Sequence, residues 1–369
     1  MSFSLVVDPD SNTLLFMNQT KSRRLHPIWL RERTTADGAI DVGSFQRLYD
    51  PTALDADLTV TRLTPTHDGS EIVWSDGHTQ RVDLHSIATE LGWLRDPSRL
   101  PDPVAWATEP DPFPRFSWPN DDDDEARFGA LDAFWTHGFV IFSGTPSSVG
   151  SLTELAGAFG PVRPTNFGEL FDVFTKPNPV DLAYTPRMLT SHTDNPYRRP
   201  VPGIQFLHCI ENHANGGEST LVDGLAAFHD FAWVDPEGHD ALCNVPVTFR
   251  YHYGDQDLTS RSAILETDID GTFVGIRNSD RLDFVDAVDP ETLARFYSGR
   301  ASLRALLNAP ERRATFVLQK GDLLMMDNRR LLHGRLSYEL QSGRRHLQGC
   351  YIEHDGPEML WRKLSKRMS

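Results

Sequence analysis

The sequence predicts an α+β fold, mainly β: an antiparallel β barrel or jelly roll flanked by helices, behind a small β-rich N-terminal domain. Three observations carry this. Beyond residue 125, apolar strand-like runs recur at Gly138 to Ser143, Gly203 to Ile210, Val247 to Tyr251, Ala314 to Leu318 and Leu347 to Tyr351. Helix-like segments at Ala126 to Thr136, Ser151 to Phe159 and Pro290 to Asn308 interrupt them without the regular strand-helix alternation of a parallel sheet. Before residue 95, short extended runs alternate with polar turns.

Taken in order, residues 1–95 form the small domain. Its runs are Ser4 to Val7, Thr13 to Met17, Leu58 to Leu63, Glu71 to Trp74 and Thr79 to Leu84, with Ser75-Asp76-Gly77 as a hairpin turn between the last two. Residues 96–125 are rich in Pro and Asp, a composition that breaks helices and predicts an exposed linker. The acidic run Asp121 to Asp124 reads as solvated, or as the cap of the helix that follows, rather than as a metal site. Residues 126–369 form the larger domain, with neither an internal repeat nor a glycine-rich phosphate loop.

A chain of 369 residues accommodates two such domains. Its 39% hydrophobic and 24% charged content is that of a soluble globular protein. The formal charge of −16, with no basic stripe, argues against a nucleic-acid partner and for a small-molecule substrate. No apolar run is long enough to span a bilayer, and the N-terminus lacks a signal-peptide pattern, so the expected protein is unprocessed and free of membranes. Cys209, Cys243 and Cys350 form no metal-type pair and read as buried small residues in a reduced, cytoplasmic setting.

The chemistry concentrates at Ser191-His192-Thr193-Asp194-Asn195. Residues two apart in an extended strand leave the same face, so His192 and Asp194 can share a metal. His333 supplies a third ligand after the strand signal at Gly321 to Leu324. Two histidines and one carboxylate leave several coordination positions open, which suits Fe(II) and dioxygen. Alone the His-x-Asp pair is weak evidence. Arg345, twelve residues beyond His333, strengthens it, because a planar guanidinium grips a carboxylate such as that of 2-oxoglutarate. The competing explanation of Arg345 is a surface ion pair. His208, in an apolar strand, reads as a hydrogen-bonded core residue, and His252 is open to either site or solvent.

The runs His192-Thr-Asp-Asn-Pro, Gly203-Ile-Gln-Phe-Leu-His-Cys-Ile, Gly216-Gly-Glu-Ser-Thr-Leu-Val-Asp-Gly, Leu332-His-Gly-Arg and Arg345-His-Leu-Gln-Gly-Cys-Tyr351 occur in this order over residues 125–355. They resemble the γ-butyrobetaine hydroxylase and trimethyllysine hydroxylase family, within the taurine-dioxygenase-like 2-oxoglutarate oxygenases. His26-Pro-Ile-Trp-Leu-Arg31 and Trp74-Ser-Asp-Gly-His78 resemble that family's small leading domain. The resemblance implies a double-stranded β-helix holding Fe(II) through His192, Asp194 and His333. It implies that Arg345 grips the C5 carboxylate of 2-oxoglutarate with a hydroxyl contact from Ser219. Oxidation of 2-oxoglutarate by dioxygen then drives hydroxylation of a C–H bond, and a homodimer is in keeping with the family.

The chain also departs from the family. Zinc ligands of the leading domain are replaced by Thr34, Ala36 and Ala39, leaving His78, so no structural zinc is expected. An aromatic cage for a trimethylammonium group is implied at Phe167, Phe171, Tyr184 and Tyr351. At the opposite end the matching positions are Asp181, Asn195 and Arg277. Asp181 repels a bare carboxylate unless Arg277 compensates it, which points away from plain γ-butyrobetaine. An amino-acid head and a phosphonate head both fit, as does a plain surface Asp–Arg pair.

The expected function is therefore an Fe(II)- and 2-oxoglutarate-dependent hydroxylase acting on a small zwitterion with a quaternary ammonium: a betaine, a trimethyllysine-like amino acid or a trimethylaminoalkylphosphonate. Alternatives are a 2-oxoglutarate oxygenase of another amino or phosphonate metabolite, a zinc hydrolase using the same triad, and a binding protein that has lost turnover.

Overall fold

A computed structural model describes residues 2–120, 122–174, 185–339 and 342–368. Asp181 and Tyr184 lie outside these residues. The chain divides into two compact units, Met1–Arg99 and Leu100–Ser369.

In the first unit, β1 (Ser4–Val7), β2 (Leu14–Met17) and β3 (Ser22–Leu25) form one antiparallel sheet, followed by α1 (Pro27–Arg31). A second sheet follows, of β4 (Val60–Pro65), β5 (Gly69–Trp74) and β6 (Thr79–Asp83), and α2 (Leu84–Glu90) closes the unit. The expected hairpin turn is present: Gly77 has φ 84°, which glycine adopts freely. Leu14, Phe16, Leu30, Ile72 and Trp74 are buried together. At two of the positions matching the family's zinc ligands, Thr34 Oγ1 and His78 Nε2 meet at 2.8 Å. Burial, and then the charge of Arg31, hold His78 below its ordinary pKa.

The second unit begins with β7 (Arg115–Ser117), α3 (Asp124–His137), β8 (Phe139–Ser143), α4 (Leu152–Gly157), β9 (Phe171–Val173) and β10 (Leu189–His192). It continues through β11 (Ile204–Asn212), β12 (Ser219–Asp223), α5 (Gly224–Val234) and α6 (Pro236–Asn244). Next come β13 (Val247–Tyr253), β14 (Gln256–Ser262), β15 (Leu265–Thr267), β16 (Phe273–Ile276), β17 (Asp283–Val285) and α7 (Pro290–Asn308). The unit ends with β18 (Ala314–Phe316), β19 (Leu323–Asp327), β20 (Leu331–Arg335), β21 (Arg345–Ile352) and α8 (Asp355–Met368). Asp123 caps α3 by accepting from the Ala126 amide at 3.0 Å, so the acidic run does cap that helix.

Two sheets organise this unit. One has six strands in the order β7-β8-β19-β11-β21-β9, the other four in the order β10-β20-β12-β18. Alternation within the six-stranded sheet explains why its strands read as unbroken apolar runs. Val140, Phe142, Phe206, Met325 and Cys350 face a cluster completed by Leu131 and Phe134 of α3 and Trp361 of α8. Their neighbours Phe139, Ile141, Cys209, Leu324, Met326 and Leu347 face a second cluster, which Leu221, Ala314 and Leu331 of the four-stranded sheet complete. Strands covered on both faces have no polar register to reveal their period. The long excursion from α5 to α7, between β12 and β18, carries its own core around Phe249, Leu265, Phe296 and Leu303.

The segment expected as an exposed linker takes a different form, because residues from Leu100 onward belong to the second unit. Trp106 is buried in the inter-sheet cluster, and β7 pairs in parallel with β8. The reason is a buried ion pair. Arg330 Nη2 lies 2.9 Å from Asp223 Oδ2, with side-chain exposures of 7% and 0%. Arg330 also donates to the carbonyls of Val104 and Thr136, while Asp223 accepts from the Trp106 amide. A proline-rich segment has few amide hydrogens to satisfy and can be held at a few carbonyls, so most of it stays exposed while Trp106, Pro110, Pro114 and Pro119 are buried. Replacing Arg330 by leucine leaves Asp223 buried and uncompensated, and is expected to cost about 3–5 kcal/mol in urea unfolding. A loss below roughly 1 kcal/mol, the range of exposed pairs, contradicts this assignment.

Candidate metal centre and its surroundings

His192 and His333 face one another across neighbouring antiparallel strands, β10 and β20, where they are register partners. Their ring centroids are 4.3 Å apart. His192 Nδ1 lies 2.9 Å from the Thr190 carbonyl, which only accepts, so Nδ1 carries a proton and Nε2 is the nitrogen turned toward Asp194. That nitrogen is 3.5 Å from Asp194 Oδ1, and His333 Nε2 is 3.8 Å from Asp194 Oδ2. One ligand atom from each of the three residues falls within 4.8 Å of the others, and this is the one such group among the described residues.

Asp194 arrives by a route the sequence did not suggest. The strand β10 ends at His192, and Asp194 sits in the turn beyond it. Asn328, fully buried, holds that turn by accepting from the Asp194 amide at 2.8 Å and donating to the Asp194 carbonyl at 3.0 Å. Gln205 Nε2 and the Tyr351 hydroxyl both donate to Oδ2, at 2.6 and 2.7 Å. With Oδ2 so occupied, Oδ1 is the oxygen left to a metal. Gln205 is a buried polar residue flanked by the apolar Ile204 and Phe206, a signal that could have marked it; Asn328 had none.

Electrostatics suit a cation. Burial raises the pKa of Asp194, but His333, His192 and the Tyr351 hydroxyl outweigh it and hold the carboxyl well below the usual range. Burial, and then the neighbouring His192 ring, push His333 down to about 4, so it is neutral near pH 7. Two imidazole nitrogens and one carboxylate oxygen match the donor set of an open, six-coordinate Fe(II) site.

Arg345 opens β21 and is 6% exposed, with its Nε buried and without a hydrogen-bond partner among the described residues. Burial, and then the nearby Arg335, bring its pKa down to about 10, leaving it cationic. A buried guanidinium whose Nε has no acceptor among the described residues suits an anionic ligand. Ser219, also 6% exposed, is the register partner of Arg335, and Leu221 partners His333 on the same pair of strands. Ser219 therefore shares the sheet face on which His333 and Arg335 lie.

The aromatic positions fall into two groups. Phe171 and Tyr351 stack with centroids 5.4 Å apart. Gly349 makes this contact feasible, since a Cβ there would meet the Phe171 ring at 2.3 Å. Phe167 meets Tyr251 edge-on at 5.9 Å, and Tyr251 stacks on Tyr197 at 5.0 Å. Tyr197 and Tyr251 were not read from the sequence. Arg277 corrects an expectation: it is bound to Glu266 at 2.8 Å and donates to the Pro196 carbonyl and Ser260 Oγ, so it braces the turn after Asp194 instead of waiting for an anionic head. His208 is a buried core residue bonded to Thr145 Oγ1 at 3.0 Å, while His252 is exposed beside Asp257.

Comparison with known proteins bears on this arrangement. A family model described as "Taurine catabolism dioxygenase TauD, TfdA family" matches residues 99–351. The chain is 31% identical to the gamma-butyrobetaine dioxygenase of Pseudomonas sp. (strain AK-1), over 89% of this chain and 88% of the other. It is 29% identical to the gamma-butyrobetaine dioxygenase of Pongo abelii, covering 90% and 89%. It is 24% identical to the trimethyllysine dioxygenase of Meyerozyma guilliermondii, covering 90% and 88%.

Proposed function

Since the chain belongs to the taurine catabolism dioxygenase TauD, TfdA family and is an Fe(II)- and 2-oxoglutarate-dependent dioxygenase, we propose that it hydroxylates a small zwitterion bearing a quaternary ammonium group. A betaine, a trimethyllysine-like amino acid and a trimethylaminoalkylphosphonate all have this form. The observation that carries the proposal is the stacked pair Phe171 and Tyr351, tied to the metal ligand Asp194 by the Tyr351 hydroxyl. Ring faces attract a trimethylammonium group, and this pair sets it beside the oxidising centre.

In this reading the two sheets of the second unit are the walls of a double-stranded β-helix. His192, Asp194 and His333 hold the iron, and Arg345 with Ser219 holds the far carboxylate of 2-oxoglutarate. Bound iron supplies the activation of dioxygen that oxidises 2-oxoglutarate and a substrate C–H bond. The protein's work is positioning. Gln205 and Tyr351 fix the Asp194 carboxylate, the Thr190 carbonyl fixes the His192 tautomer, and the buried guanidinium fixes the oxoacid. A zinc hydrolase with the same triad has no use for a buried arginine whose Nε lacks an acceptor among the described residues.

Phe171→Ala is expected to raise the KM for the quaternary ammonium substrate by roughly 5- to 30-fold, the loss of one partly desolvated cation–π contact. The affinity for 2-oxoglutarate should move by less than about two-fold. Steady-state kinetics with each ligand varied in turn measures both, and equal weakening of the two removes Phe171 from the substrate pocket.

A further inference from the structure

Phe171 stands on β9, a strand of three residues at the edge of the six-stranded sheet, which among the described residues pairs with β21 alone. So short an edge strand has few backbone hydrogen bonds to fix it. Alternation divides its side chains between two faces. On the inner face Phe171 meets Tyr351, and Val173 packs against the inter-sheet cluster. Asp172 leaves the outer face, opposite its register partner Gln348.

Two donors from β21 converge there on one oxygen. His346 Nε2 lies 2.7 Å from Asp172 Oδ1, and Gln348 Nε2 donates to the same atom at 3.0 Å. The Gly150 amide meets Gln348 Oε1 at 2.8 Å, and a backbone N–H can only donate, so the NH2 is the end turned to Asp172. An ionised carboxylate only accepts, so His346 Nε2 carries a proton. Phe174, the next residue after β9, packs edge-on against the His346 ring at 5.3 Å. His346 and Gln348 are buried, and they alternate along β21 with Leu347 and Tyr351 of the inner face. The metal centre and the oxoacid clamp therefore use neither of them.

We propose that Asp172 is a positioning residue for the substrate: through His346 and Gln348 it locks β9 onto β21 from the outer face, and so holds the Phe171 ring against Tyr351 as one wall of the quaternary ammonium site. The inference rests on the zwitterion reading above and adds the residue that sets the spacing of its aromatic wall. Asp172 does not touch the substrate. Its side chain is 42% exposed, so it can be replaced without opening the core.

The test is equilibrium binding to the anaerobic enzyme loaded with Fe(II) and 2-oxoglutarate, where no turnover occurs. Each of 4-(trimethylammonio)butanoate, trimethyllysine and 2-(trimethylammonio)ethylphosphonate is compared with its isostere carrying a tert-butyl group in place of the trimethylammonium. The wild type is expected to favour at least one cation over its isostere by about 5- to 30-fold, the range of a partly desolvated cation–π contact. Asp172→Ala should cut that ratio by roughly 3- to 10-fold, the effect of losing hydrogen bonds that hold the ring, with 2-oxoglutarate affinity unchanged. Asp172→Asn, which keeps an oxygen for both donors, should retain most of the ratio. In a Phe171→Ala background Asp172→Ala should have no further effect, because it acts through that ring. Gln348→Met removes one donor and should lower the ratio less; it decides if Asp172→Ala fails to fold. A ratio that the deciding variant leaves unchanged, an asparagine variant as poor as alanine, or an equal loss in the Phe171→Ala background overturns the clamp. A wild type that favours no cation over its isostere overturns the zwitterion reading itself, and the clamp with it.

Discussion

His192→Ala is expected to leave no Fe(II)-dependent succinate release above background, although the protein folds and retains its 2-oxoglutarate site. The expectation follows from how little else could replace the lost ligand. Among the described residues one group of three metal-ligating side chains exists, and His192 provides one of its two nitrogens. Tyr351→Phe provides the graded control. It removes one of two donors to Asp194 Oδ2 without removing a ligand, and should weaken iron binding by about 10- to 100-fold, the usual consequence of losing a group that orients a ligand. Anaerobic iron titration measures both. An alanine variant that binds iron as tightly as Tyr351→Phe contradicts the ligand assignment.

Arg345→Met should produce the second large effect, with opposite consequences for function and stability. The guanidinium is buried, its Nε has no partner among the described residues, and its pKa is pulled down to about 10 by burial and by Arg335. Such a charge destabilises the ligand-free protein and is retained for what it binds. Methionine matches its length without its charge. Loss of a buried, charge-assisted clamp is worth about 2–5 kcal/mol, so 2-oxoglutarate affinity should fall by roughly 30-fold to several thousand-fold. The ligand-free variant should melt higher than the ligand-free wild type. Thermal melts with and without 2-oxoglutarate check both halves: a wild type that gains no stability from 2-oxoglutarate, or a variant that gains as much, removes Arg345 from the oxoacid site.

The sequence made the chemistry more legible than the scaffold around it. His192, Asp194, His333 and Arg345 stand out because two histidines, a carboxylate and a guanidinium are the side chains that a metal and an oxoacid need, although Asp194 lies in a turn and not on the strand expected. Gln205 is marked differently, as a polar residue within Ile204–Asn212, a strand whose other early residues are apolar. Asn328 was hidden because it works through backbone atoms of a turn 134 residues away, a contact that no local pattern encodes. Arg277 misled for a related reason: an arginine near a site looks available until its counter-ion, Glu266, is brought to it by the pairing of β15 with β16. The linker is largely exposed as expected, but proline content does not report that the segment from Leu100 onward is anchored to the second unit. Trp106 and the Arg330–Asp223 pair decide that instead.

The most direct test of the account is the stoichiometry of one reaction. Purified protein reconstituted anaerobically with Fe(II) is given 2-oxoglutarate, air and a panel of betaines, trimethyllysine and trimethylaminoalkylphosphonates, and succinate and the masses of the panel compounds are followed together. The account predicts that at least one quaternary ammonium zwitterion stimulates succinate release and gains one oxygen atom per succinate formed, and that Zn(II) in place of Fe(II) supports neither. Hydrolysis of a panel compound by the zinc-loaded protein, or succinate release that no member of the panel stimulates, would contradict it.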